Sequence, residues 1–205
     1  MQKGILLILS GPSGVGKGTV GKQLLARSGG SMVFSVSCTT RAPREGEEDG
    51  RDYFFISEEE FGRMVDNGEF LEYMNVFGKN HYGTPRKYVE NKIDAGMDVL
   101  LDIDVNGAMN VKKNFPDAVS IMLVPPTMKE LRSRLEGRGT ETREAVERRL
   151  AEAKTELSYM PRYDYIVVND DLDVAVAQCE QVIESSRLRP VYCSEFVDSL
   201  INEDF

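Results

Sequence analysis

The chain opens on an unbroken apolar run, Ile5 to Leu9, followed at once by glycine-rich residues. A run of that length bounded by glycine predicts a strand buried on both faces. Lys17 to Arg27 then shows helical spacing and stops at Gly29-Gly30, so the first unit reads strand, loop, helix. Met32 to Ser37 and Tyr53 to Ile56 predict two further strands, separated by a polar stretch, Thr39 to Asp52, that mixes arginines with acids. Ser57 with Glu60 three residues on marks a helix start, and that helix should run to about Asn67. Glu69 to Phe77 predicts a strand, and Thr84-Pro85 opens another helix that Gly96 closes.

From Asp98 onward the two periodicities alternate. Strand Val99 to Ile103 leads to a helix ending near Phe115, strand Val119 to Val124 to a helix from the Thr127/Glu130 pair to Leu135. After Gly137 to Thr140 comes a charged helix to about Tyr159. Strand Tyr165 to Val168 follows, then a helix with Leu172, Val176, Cys179 and Ile183 on one face. Such alternation implies an α/β fold with a doubly wound parallel sheet. Residues 35–96 are richer in strands and turns than their surroundings and read as an insertion from the edge of that core. Ser194 to Ile201 predicts a last short helix in an acidic tail.

The 205 residues fit one domain with at most one inserted subdomain. A net charge of −9 repels phosphate backbones and anionic lipid, which argues against nucleic-acid and membrane-surface roles. The longest apolar run falls far short of the ~20 residues that cross a bilayer, and it lacks signal-peptide flanks, so a cytoplasmic protein is expected. Three cysteines without a C-x-x-C pair and one histidine, His81, leave no ligand set for structural zinc, and the thiols read as idle.

Chemistry enters at the first loop. Gly11, Pro12, Ser13, Gly14, Val15, Gly16, Lys17, Gly18 and Thr19 fit G-x-x-x-x-G-K, a phosphate-binding loop, and depart from it at Gly18, where Ser or Thr is usual. An apolar strand enters and a helix leaves, so backbone N–H groups and the helix N-terminus converge on a phosphate, with Lys17 reaching the β- and γ-phosphates. Two GTPase-like strings, Asn91-Lys-Ile-Asp94 and Asp104-Val-Asn-Gly107, occur in the wrong order and context, and both read as chance.

The stretches Ser37-Cys-Thr-Thr-Arg41-Ala-Pro-Arg44-Glu-Gly-Glu47 and Gly50-Arg-Asp-Tyr53-Phe-Phe resemble the nucleoside-monophosphate segment of the guanylate kinase family. The resemblance continues through Glu69-Phe-Leu-Glu72, Tyr82-Gly-Thr84, Asp102-Ile-Asp104, Arg134-Leu-Glu-Gly-Arg138 and Asn169-Asp-Asp-Leu-Asp173, and covers about residues 4–188. It implies a P-loop kinase that passes the γ-phosphoryl group of ATP to GMP with Mg²⁺. The implied core spans about 4–34, 97–125 and 150–188, the GMP-binding insert about 35–96, an arginine-bearing lid about 126–149, and residues 189–205 form a tail.

The residue chemistry agrees with that implication. Arg41 and Arg44, three apart around Pro43, can fork onto one phosphate, with Tyr53 and Tyr82 as neutral donors as in the family. Glu72 matches the position that accepts from guanine N1–H and its 2-amino group, and Ser37, Thr84 and Asp104 match positions that complete guanine recognition. Asp102 ends the run Val99-Leu-Leu, where a parallel strand delivers side chains to the ligand edge, and is expected to hold Mg²⁺ through water. Six arginines crowd residues 132–149. Arg134, Arg138 and Arg149 match lid positions over the transferring phosphates, whereas Arg132, Arg143 and Arg148 read as helix surface. The expected catalytic set is therefore Lys17, Arg41, Arg134, Arg138 and Arg149, with Asn169 and Asp170 near the adenine. A silent guanylate-kinase-like module that binds phosphopeptides is one rival reading, and the intact Lys17 argues against it; a kinase for another monophosphate is a weaker one, since Gly18-Thr19 looks like the loop of adenylate kinases, and Glu72 and Ser37 argue for guanine.

Overall fold

The computed structural model describes residues 3–76, 78–137 and 142–203. Nine strands and eight helices follow in chain order among those residues: β1 (Leu6–Ser10), α1 (Lys17–Arg27), β2 (Met32–Phe34), β3 (Cys38–Thr39), β4 (Phe54–Phe55), α2 (Glu58–Asp66), β5 (Phe70–Val76), β6 (Asn80–Pro85), α3 (Arg86–Asp94), β7 (Asp98–Asp102), α4 (Val105–Asn114), β8 (Val119–Val124), α5 (Met128–Glu136), α6 (Arg143–Leu157), β9 (Tyr165–Val168), α7 (Leu172–Ser186) and α8 (Ser194–Ile201). The main sheet is parallel throughout, in the order β2-β7-β1-β8-β9.

All five residues of β1 are buried because the sheet is covered on both faces. Successive side chains alternate. Ile5, Leu7 and Leu9 pack with Val20 and Leu24 of α1 and with Val176, Cys179 and Ile183 of α7, whereas Leu6 and Ile8 pack with Val89 and Ile93 of α3 and Val105, Ala108 and Val111 of α4. Each such aliphatic side chain contributes about 1.5–3 kcal/mol by leaving water. Burial also explains the thiols: it pushes Cys179 up to about 12 and Cys38 up to about 11, so both stay protonated and unreactive.

A second, four-stranded sheet in the order β4-β3-β6-β5 stands beyond the C-terminal edge of the first. Here the structure divides what the sequence pattern runs together. The stretch from Met32 to Ser37 predicts one strand, but the chain leaves the main sheet after Ser35, whose N–H still bonds Leu100 O at 2.9 Å, and re-pairs at Cys38 in the second sheet. β6 is a strand that the pattern does not announce. Its Asn80, His81 and Tyr82 carry no apolar alternation, and antiparallel pairing with β5 holds it in place. α5 and α6 form a separate pair around Leu131, Leu135, Val146, Leu150 and Ala153.

Helix starts follow their caps. Ser57, Asp104, Thr127, Thr142 and Asp171 each accept the N–H three residues on, a bond worth ~1 kcal/mol per helix. The two GTPase-like strings resolve accordingly. Asn91 to Asp94 lies within α3, and Asp104 with Gly107 is the cap of α4, at 2.8 Å. Among the described residues no helix is long and apolar enough to cross a membrane.

Candidate active site

β1 is the central strand, with β7 on one side and β8 on the other, so the winding direction changes at its C-terminal end. Open α/β sheets bind ligands at that point. The Gly11–Thr19 loop sits there. Gly11 has φ 141°, and a Cβ on it would lie 2.1 Å from Leu123 O; Gly16 has φ 102°, and a Cβ on it would lie 2.5 Å from the Asn169 amide nitrogen. Only glycine fits either position. The loop then delivers Lys17 and Gly18 at the start of α1, where N–H groups lack helical partners and suit an anion.

Lys17 folds over its own loop, donating from Nζ to Gly11 O at 2.7 Å. Ser13 Oγ accepts from Arg149 Nη1 at 3.0 Å, which brings α6 onto the loop. Asn169 is buried, and its amide donates to Val15 O at 2.8 Å. It therefore braces the phosphate loop from beneath, while the neighbouring Asp170 is exposed. Thr19 is exposed on the first turn of α1. Gly18 faces Asp102, since a Cβ there would lie 3.9 Å from Asp102 Oδ2. Asp102 ends β7 in the cleft. Loss of surrounding water pushes its carboxyl above the ordinary aspartate value, against the pull of Lys17.

A cavity of about 450 Å³ connects this edge to the second sheet. Ser37, Arg41, Arg44, Tyr53, Glu72 and Tyr82 line it together with Asp102 and Asp104. At one end Arg41 Nε donates to Tyr82 Oη at 3.2 Å, its guanidinium lies 5.5 Å from the Tyr53 ring centre, and Arg44 faces the same space. Deeper in, the buried Glu72 accepts from Thr84 Oγ1 at 2.6 Å. Burial raises the Glu72 carboxyl and the Asp104 charge adds to that, while the Thr84 hydroxyl opposes it. Gly107 stands between the two acids, and a Cβ on it would lie 3.5 Å from an oxygen of each.

The structure thus gathers the expected acceptor residues around one cavity, except that Thr84 stands behind Glu72 without lining it, and Asp102 joins that cavity to Gly18 of the phosphate loop. Arg134 is tied back to Glu130 by a 2.9 Å bond, and Arg132 bridges α5 to Glu147 of α6. Arg138 lies outside the described residues.

Sequence reasoning missed Glu47. It accepts from Arg41 Nη2 at 2.9 Å and from the Arg44 N–H at 2.8 Å, so one carboxylate fixes both arginines. These bonds hold its carboxyl below the ordinary glutamate value. Its spacing, three beyond Arg44 and six beyond Arg41, was the available signal, but an acid in a charged loop looks like solvated surface.

Comparison with known proteins agrees with this geometry. A family model described as guanylate kinase matches residues 3–186. A guanylate kinase from Symbiobacterium thermophilum is 53% identical over 189 residues, covering 92% of this chain and 89% of the relative. One from Streptococcus thermophilus is 48% identical over 188 residues, covering 92% and 90%. The crystal structure of guanylate kinase from Anaplasma phagocytophilum superposes with a TM-score of 0.71 at 36% identity, covering 100% of this chain and 98% of that one.

Proposed function

The chain belongs to the guanylate kinase family and phosphorylates GMP to GDP with ATP, and from that premise we propose how its own side chains divide the work. The observation that carries the assignment is the cavity running from Arg41 and Glu72 to Asp102, which faces Gly18 of the phosphate loop. It gives two nucleotides a shared wall and lets their phosphates meet.

In this reading the Gly11–Thr19 loop cradles the ATP phosphates and Lys17 leaves Gly11 O to neutralise the β,γ end. Asn169 supports the donor site by holding the loop, and Asp170 lies at its adenine side. Arg41, Arg44, Tyr53 and Tyr82 receive the GMP phosphate, while Glu72, Ser37, Thr84 and Asp104 read the guanine edge. Residues 35–96 serve as the acceptor-holding insert and 126–149 as the lid, with Arg134 and Arg149 turning to the transferring group and Arg138 assigned to it on the family resemblance alone. We place the protein in the cytoplasm.

The acceptor is already an anionic phosphate oxygen near neutral pH, so no general base is needed. What the protein supplies is in-line positioning and cancellation of repulsion between two polyanions. Exclusion of water matters equally, because water would take the phosphoryl group in place of GMP.

The donor set suits Mg²⁺ carried in with the nucleotide. Among the described residues no cluster of three or more His, Cys, Asp or Glu could hold a metal ion, Gly18 brings no hydroxyl, Asp102 faces Gly18, and Glu156 accepts from the Ser13 N–H within the pull of Lys17. Asp102 would order waters of an ion that keeps much of its hydration. Bound with ATP, that ion supplies charge neutralisation and Lewis acidity at the phosphates.

Lys17→Ala tests the assignment. Alanine suits the first turn of α1, so the protein should fold with an unchanged circular dichroism spectrum and yet transfer almost no phosphoryl group from ATP to GMP. Near-native turnover in a folded variant would place the chemistry elsewhere.

A further inference from the structure

We propose that Met74 is a further acceptor-contacting residue, whose thioether packs on the nucleoside of bound GMP between the groups that hold its base and those that hold its phosphate. The inference rests on the GMP reading above and deepens it. The β5–β6 register pairs Glu72 with Thr84 on one rung and Met74 with Tyr82 on the next. Side chains alternate along a strand, so Glu72 and Met74 share the face that lines the cavity. Tyr73, between them, points the other way, with its ring centre 6.3 Å from that of Phe61 and 6.1 Å from that of Phe70.

One rung therefore carries the base-reading carboxylate, and the next carries the tyrosine that bonds Arg41 at 3.2 Å. Two residues of strand advance about 7 Å. A nucleotide whose base edge meets Glu72 and whose phosphate meets Arg41 must cross Met74. That side chain is 38% exposed although it faces the cavity, and it is one of two non-aromatic apolar side chains lining it, Ile103 being the other. A flexible, polarizable thioether adapts well to a ribose or a purine face, and the ligand would cover what is now open to water.

A thioether reads a face and not a hydrogen-bonding edge. It therefore adds affinity for a purine monophosphate without choosing between guanine and hypoxanthine. Met74→Ala should raise KM for GMP ~3- to 10-fold, the scale of losing part of a buried thioether, and raise KM for IMP by the same factor. KM for ATP and kcat should stay near the wild-type values, and Met74→Leu, which keeps the apolar volume, should recover most of the loss.

In the wild-type protein labelled at methionine methyl groups, the Met74 resonance, assigned by its absence in Met74→Leu, should shift on adding GMP and not on adding inorganic phosphate alone. An unchanged KM for GMP in Met74→Ala, a changed GMP-to-IMP preference, or an unmoved methyl resonance at saturating GMP would each overturn the proposal. Wild-type turnover in the same assay isolates the premise: no GMP phosphorylation removes both readings, whereas normal turnover with an unshifted Met74→Ala removes only this one.

Discussion

Glu72, the proposed guanine-reading carboxylate, is 7% exposed, and that burial bears both on how it would read a base and on what it costs the fold. Its carboxyl titrates above the ordinary glutamate value of ~4.3, since burial and the Asp104 charge outweigh the Thr84 hydroxyl. Only the carboxylate can accept from both guanine donors. The kcat/KM for GMP should therefore fall as pH drops through this raised value, and Glu72→Gln should lose that acid limb along with most GMP binding while keeping its KM for ATP. Stability moves the opposite way. A folded value above the unfolded one means that the ionised form destabilises the fold at neutral pH, and the penalty disappears once pH lies below both values. Thermal unfolding should show Glu72→Gln with the higher Tm at neutral pH and the gap closing towards pH ~4. An equal or lower Tm at neutral pH would mean that the carboxylate is better compensated than its neighbours indicate.

At the scale of elements, the first strand, the phosphate loop and the first helix were legible from sequence because each is governed by local rules. The run Ile5 to Leu9 that fills most of β1 is continuously apolar, Gly11 and Gly16 mark backbone that no other residue fits, and α1 begins and ends where its pattern does, at Lys17 and Arg27. β6 was not legible, since its stability comes from pairing with β5 and β3 and its residues lack a period of two. The division of Met32 to Thr39 between two sheets was hidden for the same reason: a strand's partner is set by tertiary pairing. Glu47 and Asn169 show the corresponding limit for the site. The acid acts through two arginines and the amide through a buried carbonyl 154 residues away; spacing along the chain gives only a faint signal for the first and none for the second. Asn169→Ala checks the second. It leaves the Val15 carbonyl buried without its donor, which costs about 1–3 kcal/mol. Calorimetry of the nucleotide-free protein should show a lower Tm, and kinetics a raised KM for ATP with KM for GMP unchanged. A Tm equal to that of the wild type would mean that the loop holds its shape without the brace.

Across the whole molecule, an acidic chain of net charge −9 concentrates cations around the cleft where, in the proposed reading, two polyanionic ligands meet. Lys17 comes from the sheet's switch point, Arg41 and Arg44 from the loop beside the second sheet, and Arg149 from α6, which reaches across to Ser13. On the proposed division of roles no single element holds all of these cations, so transfer should depend on all three parts being assembled. In the proposed reading, base choice sits by contrast mainly in the second sheet, at Glu72 and Thr84, with Asp104 at the start of α4 and Ser37 just before β3 completing it. The most direct test of this division is to offer ATP and Mg²⁺ with GMP, IMP, AMP or UMP in parallel and to measure the diphosphate formed from each labelled monophosphate. GMP should be used best and IMP, which keeps N1–H but lacks the amino group, should fall between. AMP should be slower by ~10⁴-fold or more, because it leaves the buried carboxylate unpaired. Phosphorylation of AMP or UMP at a rate comparable to that of GMP would contradict the account.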